Sequence, residues 1–268
     1  MARYICAYCE KEFESDYGRW PLCEACHRLY LGWFPRNCST RLTYHYEVAC
    51  LLLQDKKPAH YIDQILSEME TFVPLCADGN DHYDIGEIYL RRERYTEALD
   101  HLEKSYDCFL SEYSTNPEPE TVLVMAELQL KMSTALCSLG RQPEAHRKLE
   151  ESIRLYHNGY ELAHEHAKRD ITRTPLLGEA CIALAEAYHM SGDMNKALGY
   201  YQKARAAFRV ASGMDHSQYC RLITVDTVLI KLLMDKEEPL SQITKYIIER
   251  LQTEINEIRQ RFPKIRTK

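Results

Sequence analysis

Residues Cys181 to Ala204 read CIALAEAYHMSGDMNKALGYYQKA. Small and bulky residues fall there at fixed helical offsets: Leu184, Ala185 and Tyr188 on a first helix, then Ala197, Tyr201 and Ala204 on a second. The turn Ser191-Gly192-Asp193 separates them. A small residue where two helices cross lets their backbones approach, and a bulky one beside it gives the next hairpin a packing surface. A single hairpin of this kind cannot bury its apolar face and must stack on neighbours. Two weaker copies lie upstream. The first has Ile85, Gly86 and Tyr89, then Ala98, Leu102 and Ser105. The second has Met132, Ser133 and Leu136, then Ala145, Leu149 and Ser152, with Gly140 at its turn.

These three blocks in register resemble tetratricopeptide repeats. The resemblance implies an all-α array of helical hairpins, a right-handed solenoid, over residues 41–268, and leaves residues 1–40 as a small separate N-terminal module. Ala98 to Ala145 spans 47 residues and Ala145 to Ala197 spans 52, against about 34 in the usual unit. Each second helix must therefore be lengthened or followed by a longer connection. Asn116 to Glu120 (NPEPE) and Thr172 to Pro175 fit such connections, and the second helix of the middle block reads unbroken from Pro143 to about Lys168. Arg41 to Gln54 and Ala59 to Phe72 form a preceding pair around the Asp55–Pro58 break. Gly213-Met214-Asp215-His216 resembles the loop before the next helix in kinesin light-chain-like arrays. Ser217 to Met234 and Leu240 to Arg261 make a terminal pair, whose charged last helix would cap the stack.

The bulk composition agrees with an interaction module. An apolar fraction of 45% can supply a core, and a net charge of −6 makes neither nucleic acid nor an anionic membrane the default partner. The 19 tyrosines suit helices with much surface per residue. MARYICAYCE has no basic start followed by an apolar run, and no stretch approaches the length of a membrane span. Eleven cysteines, an odd number and mostly scattered through helical pattern, read as reduced thiols of a cytoplasmic protein. The basic end from Arg259 to Lys268 reads as a solvated tail or a nuclear signal.

Cys6-x2-Cys9 and Cys23-x2-Cys26 form a metal motif. Each pair brings two thiolates to one side of a tight knuckle, and two pairs complete a tetrahedral shell suited to structural zinc. Cys38 and His27 could each substitute in that shell, but they read first as an unliganded thiol and a surface histidine. Pro21 to Tyr30, PLCEACHRLY, resembles the LCNACGLYY segment of GATA-type zinc fingers, whose second CxxC opens a helix in a treble-clef arrangement. This chain departs from that family at Glu24, where the family has Asn, and at Leu31-Gly32-Trp33-Phe34-Pro35, which replaces its basic tail. Residues 1–40 hold five basic and five acidic side chains, so the module has no charge excess with which to neutralise phosphates. It reads instead as a cap that packs Trp33 and Phe34 on the first helices.

No phosphate loop, dinucleotide fingerprint or nucleophile elbow is present. His164 and His166 are two apart on a helix and point to different faces, and with His157 they read as polar-face residues. The order of parts is loosely similar to SET-and-MYND protein methyltransferases, which end in a tetratricopeptide-like domain preceded by zinc-bound cysteines. No stretch here matches the SET core, and the cysteine spacing is not that of a MYND finger. By register, the repeat resemblance places a concave ligand groove on Asn80, Tyr83, Glu87 and Leu90, on Glu127, Leu130 and Thr134, and on Glu179, Ile182, Glu186 and His189. That lining is acidic, which argues against the acidic C-termini that chaperone-clamping repeats bind. The expectation is a non-enzymatic adaptor or scaffold that holds a basic or amphipathic protein segment. A zinc-finger nucleic-acid-associated regulator and a non-catalytic relative of SET methyltransferases stand as alternatives.

Overall fold

The computed structural model describes residues 2–15, 21–31, 38–76, 78–236 and 241–263. Strands β1 (Ala2–Ile5) and β2 (Glu12–Ser15) pair antiparallel, Arg3 opposite Glu14 and Tyr4 opposite Phe13. A short α1 (Glu24–Tyr30) follows, then α2 (Cys38–Gln54), α3 (Ala59–Cys76), α4 (Gly79–Arg91), α5 (Tyr95–Thr115) and α6 (Pro119–Ser138). The chain continues through α7 (Gln142–Arg169), α8 (Thr174–Met190), α9 (Met194–Met214), α10 (Tyr219–Lys236) and α11 (Gln242–Arg261). The class is all-α. The long repeat period comes from long second helices, 21 residues in α5 and 28 in α7, while the connections stay short. Of the NPEPE segment, residues 116–118 form the connection, and Pro119 is the first residue of α6, where a missing N–H costs nothing.

The turns of the hairpins α2–α3, α4–α5, α6–α7 and α8–α9 share one backbone geometry. In each, a residue in the left-handed region reverses the chain: Lys56 (φ 51), Glu93 (φ 58), Gly140 (φ 75) and Gly192 (φ 84). The next N–H then reaches back to a carbonyl of the first helix. These bonds are Lys57 N to Leu52 O, Arg94 N to Tyr89 O, Arg141 N to Leu136 O and Asp193 N to Tyr188 O, all 2.9 Å. This satisfies carbonyls that a helix end leaves open. Glycine adopts such a φ freely, whereas Lys56 and Glu93 adopt it against a steric cost.

By contact density the chain divides into two units. Unit 1 comprises residues 1–111 and 131–145, and unit 2 comprises residues 112–130 and 146–268. In unit 1, Ser105 Oγ donates to the Gly79 carbonyl at 2.7 Å, and a Cβ on Gly79 would meet the Phe109 ring at 3.1 Å. In unit 2, Ser152 Oγ donates to the Ala126 carbonyl at 2.8 Å across the same interval of 26 residues. Buried Tyr156 stands four residues after Ser152, where Phe109 stands after Ser105. The third block repeats the arrangement with Ala204 in the serine's place and Phe208 after it. A Cβ on Gly178 would lie 2.6 Å from Phe208 Cζ, so only glycine lets the ring close on α8.

The terminal pair belongs to unit 2. Ile248, Leu251, Ile255 and Ile258 of α11 are buried, and the last three share one core with Leu222, Leu229 and Leu232 of α10. Arg205 Nε of α9 binds fully buried Asp226 Oδ1 at 2.6 Å, and both Arg205 and Arg209 bind Glu254. The outer face of α11 is less polar than a cap requires: Ile243 is 74% and Tyr246 62% exposed.

The turn geometry gives a stability test. Gly140→Ala should lower the unfolding free energy by about 1 kcal/mol, the cost of a left-handed L-residue. Glu93→Gly should raise it by a similar amount, less the added chain entropy. Urea denaturation of the two variants beside wild type reads both signs.

Candidate functional site

The cysteine cluster is assembled by a strand turn and a helix start. Cys6 N–H donates to Lys11 O at 3.0 Å and Glu10 N–H to Cys6 O at 2.8 Å, closing the turn between β1 and β2. Glu10 takes a left-handed φ of 61°, which helps bring Cys9 to the same side as Cys6. Cys23 is the N-cap residue of α1, and Cys26 lies in its first turn. Ala7 N–H donates to Pro21 O at 2.8 Å and ties the two pairs together. The four sulfurs lie within 4.8 Å of one another, and the Cys9 and Cys23 sulfurs are 3.7 Å apart. Four thiolates about 2.3 Å from a tetrahedral ion would stand about 3.8 Å apart, so the set fits one metal ion. Burial raises the Cys9 thiol, but the Lys11 N–H and the neighbouring thiols more than offset it and bring it to about 7. Burial pushes the Cys26 thiol up. An ion entering the cluster must therefore release protons.

The cluster belongs to the core of unit 1. Cys6, Ala7, Leu22 and Cys26 are buried together with Leu42, Tyr44 and Val48 of α2 and Ile62 of α3. His27 is buried too, but its Nδ1 faces Tyr44 Oη at 3.1 Å, and it is not part of the sulfur group. Tyr8, between Cys6 and Cys9, donates to Asp55 Oδ2 at 2.5 Å, with the Tyr30 ring 4.3 Å away and Lys57 Nζ 4.3 Å above its own ring. Tyr8 and His27 thus carry the contact with the first helical pair. Trp33 and Phe34, expected to do so, lie outside the described residues, as does the Cys38 side chain.

The expected groove residues fall in both units. In unit 1, Tyr83 and Glu87 lie on α4. Glu87 is engaged: it accepts from Tyr46 Oη at 3.3 Å, pairs with Arg91, and has Lys131 Nζ at 3.8 Å. Lys131 also sits 5.2 Å from the centre of the Tyr83 ring. The acid on this face without an opposing cation among the described residues is Asp84, which the register passed over. Burial first, then the charges of Glu87, Asp81 and Asp78, push its carboxyl up to about 7. A charge wheel of α4, with Asp81, Asp84 and Glu87 at intervals of three, contains that signal.

In unit 2, Glu127 and Leu130 lie on α6, and Glu179, Ile182, Glu186 and His189 on α8. Leu130 and Ile182 are half-buried, while Glu186 and His189 are exposed. Glu179 pairs with Arg221 of α10 at 2.8 Å. Glu186 is solvent-accessible yet crowded by protein on its flanks. This partial desolvation, then Glu127 and Glu179, raises its carboxyl above the ordinary value. The phenols of buried Tyr156 and Tyr201 are raised by burial and then by these acids. Glu127, Glu179 and Glu186 thus share one electrostatic neighbourhood.

Two of the histidines expected on polar faces, His157 and His164, are turned to tyrosines. His157 Nε2 lies 2.7 Å from Tyr188 Oη, and His164 stacks on Tyr160 at 5.9 Å. Among the described residues, the cysteine cluster is the one group of three or more potential metal-ligand side chains that comes together. No described helix is long and apolar enough to cross a membrane.

No family profile matches the chain, and no curated protein matches it in sequence. Solved structures do match. One is a single-residue variant of a Podosopora anserina protein, assigned as a kinesin light chain with nearly identical TPR-like repeats. It has a TM-score of 0.52 and 16% identity, over 85% of this chain and 100% of that one. Another is BtubC (BKLC) from P. vanneervenii, with a TM-score of 0.52 and 12% identity, over 85% of this chain and 84% of that one. The fold is that of TPR-like repeat proteins. At such identities the likeness concerns the fold alone.

The cluster geometry leads to a metal test. The purified chain should carry one tetrahedral ion, with cobalt substitution giving a thiolate-to-metal absorption band. Cys23→Ser should lose it, and the α2–α3 core should melt at lower temperature in the variant, read by calorimetry with metal analysis.

Proposed function

We propose that the chain is a non-enzymatic adaptor that captures a basic or amphipathic protein segment on the acidic faces of its first helices. One structural zinc ion staples the N-terminal treble-clef-like module onto α2 and α3. The observation that carries this reading is Glu186: a crowded carboxyl, beside Glu127 and Glu179, with no ion pair of its own among the described residues. A carboxylate held in that state is stabilised by an incoming Lys or Arg. Leu130 and Ile182 lie on the same helices and offer apolar contact for an amphipathic partner. Asp84 beside Tyr83 gives unit 1 a second face of the same chemistry.

Preformed helices lower the ordering cost of binding. Four thiolates close a zinc shell and leave no position for substrate, so the metal's part is structural. The balanced charge of residues 1–40 favours protein over nucleic acid as the partner. Unpaired cysteines throughout the described residues fit a reducing, cytoplasmic compartment.

Lys/Arg-rich amphipathic peptides, measured by fluorescence anisotropy beside charge-reversed controls, test the reading. Glu127→Lys with Glu186→Lys, which replaces attraction by repulsion at two positions, should weaken binding at least about tenfold, or about 1.4 kcal/mol, with helicity unchanged by circular dichroism. Unchanged affinity would sink the proposal. The pH dependence has a defined sign. Carboxyls with raised pKa are protonated in acid and attract a cation only when ionised. Affinity should therefore rise with pH, through about 7 where Asp84 titrates.

A further inference from the structure

Helices α3, α4 and α5 of unit 1 are joined by four side chains that neither the cysteine cluster nor the groove faces use. Tyr89 Oη donates to Glu70 Oε1 at 2.8 Å, and His101 Nε2 lies 3.0 Å from the same oxygen. On its other side, His101 Nδ1 lies 3.0 Å from His82 Nδ1. A carboxylate oxygen only accepts, so His101 carries its hydrogen on Nε2 and presents a lone pair at Nδ1. His82 must then donate from Nδ1. The run has a single direction, from His82 through His101 to Glu70, with both rings neutral. His101 is 4% exposed, and His82 is half-buried.

We propose that this run is a pH-sensitive latch, which holds α4 to α5 and α3 until both facing imidazoles are protonated and then releases them. A first proton on His82 Nε2 leaves its Nδ1 donor in place. A second, on His101 Nδ1, puts hydrogens on both nitrogens, and two N–H groups bearing positive rings cannot stay 3.0 Å apart.

The surroundings discourage protonation of His82 in the closed state. Burial, then His101 and Lys104, hold the His82 imidazole below its ordinary pKa, while Asp100 and Glu70 act the other way. Lys104 and Asp100 of α5 pair at 2.7 Å, so neither charge acts alone on the rings. Glu70 from α3 faces His101, and Arg94 in the α4–α5 turn and Glu97 of α5 flank Tyr89 of α4. Once the helices part, the imidazoles enter water and bind protons near pH 6.5. The stability the latch contributes is present above that pH and is lost as pH falls through it. Because α4 also carries Tyr83 and Asp84, release would disturb the groove face of unit 1, though the latch stands without any reading of the groove.

Hydrogen exchange of the full chain, followed by mass spectrometry from pH 7.5 to 5.5 and corrected for intrinsic rates, tests it. Peptides from α4 and α5 should lose protection by about tenfold per pH unit for each extra proton the open state binds. In His82→Gln, the side-chain amide donates to neutral His101 Nδ1 and, turned over, accepts from the protonated ring, so the closed state tolerates the proton and protection there should stay flat. Equal losses in both proteins, or no loss in wild type, would overturn the latch. Should the variant fail to fold, nitrogen NMR of wild type at pH 7.5 decides. Hydrogens on His82 Nδ1 and His101 Nε2 support the latch, and the opposite tautomer on either ring refutes it.

Discussion

How closely two helices of one hairpin can approach decides most of what this chain builds. At each crossing a Gly, Ala or Ser stands where a larger residue would hold the helices apart, and a ring closes on the space. Phe109 lies against Gly79 and Phe208 against Gly178. Where serine takes part, its hydroxyl answers a backbone carbonyl of the facing helix, Ser105 to Gly79 and Ser152 to Ala126. Steric fit and hydrogen bonding therefore select the same register, and that register determines which side chains of α4, α6 and α8 remain on the outer faces.

The N-terminal module solves a different problem. Two four-residue strands and one seven-residue helix bury too little apolar surface to fold by packing alone. Four sulfurs placed to fit one ion lie at the module's centre, and Tyr8 and His27 join it to the core of α2 and α3.

The proposed groove faces were only partly legible in the sequence. Register alone put Glu127, Glu179 and Glu186 on corresponding helices, because helical spacing dictates which positions share a face. Register could not reveal that Arg91 and Lys131 occupy Glu87, since Lys131 comes from another helix far along the chain. It also passed over Asp84, whose raised carboxyl results from burial and three neighbouring acids. The His82–His101 run was invisible for the same reason: its members come from three helices, and a histidine's partner is set by packing.

What the sequence determined by itself was the all-α class, the pairing of helices and the two CxxC pairs, because helical periodicity, turn residues and ligand spacing are local properties of the chain. Even the unusual repeat length was present there, although the helices rather than the connections absorb it. What only the tertiary structure decided is the charge state of the surfaces: which acids are already paired, which stand crowded without a cation, and which histidines share a proton. Electrostatic character depends on burial and on neighbours brought from distant positions, and neither can be read from one helix at a time.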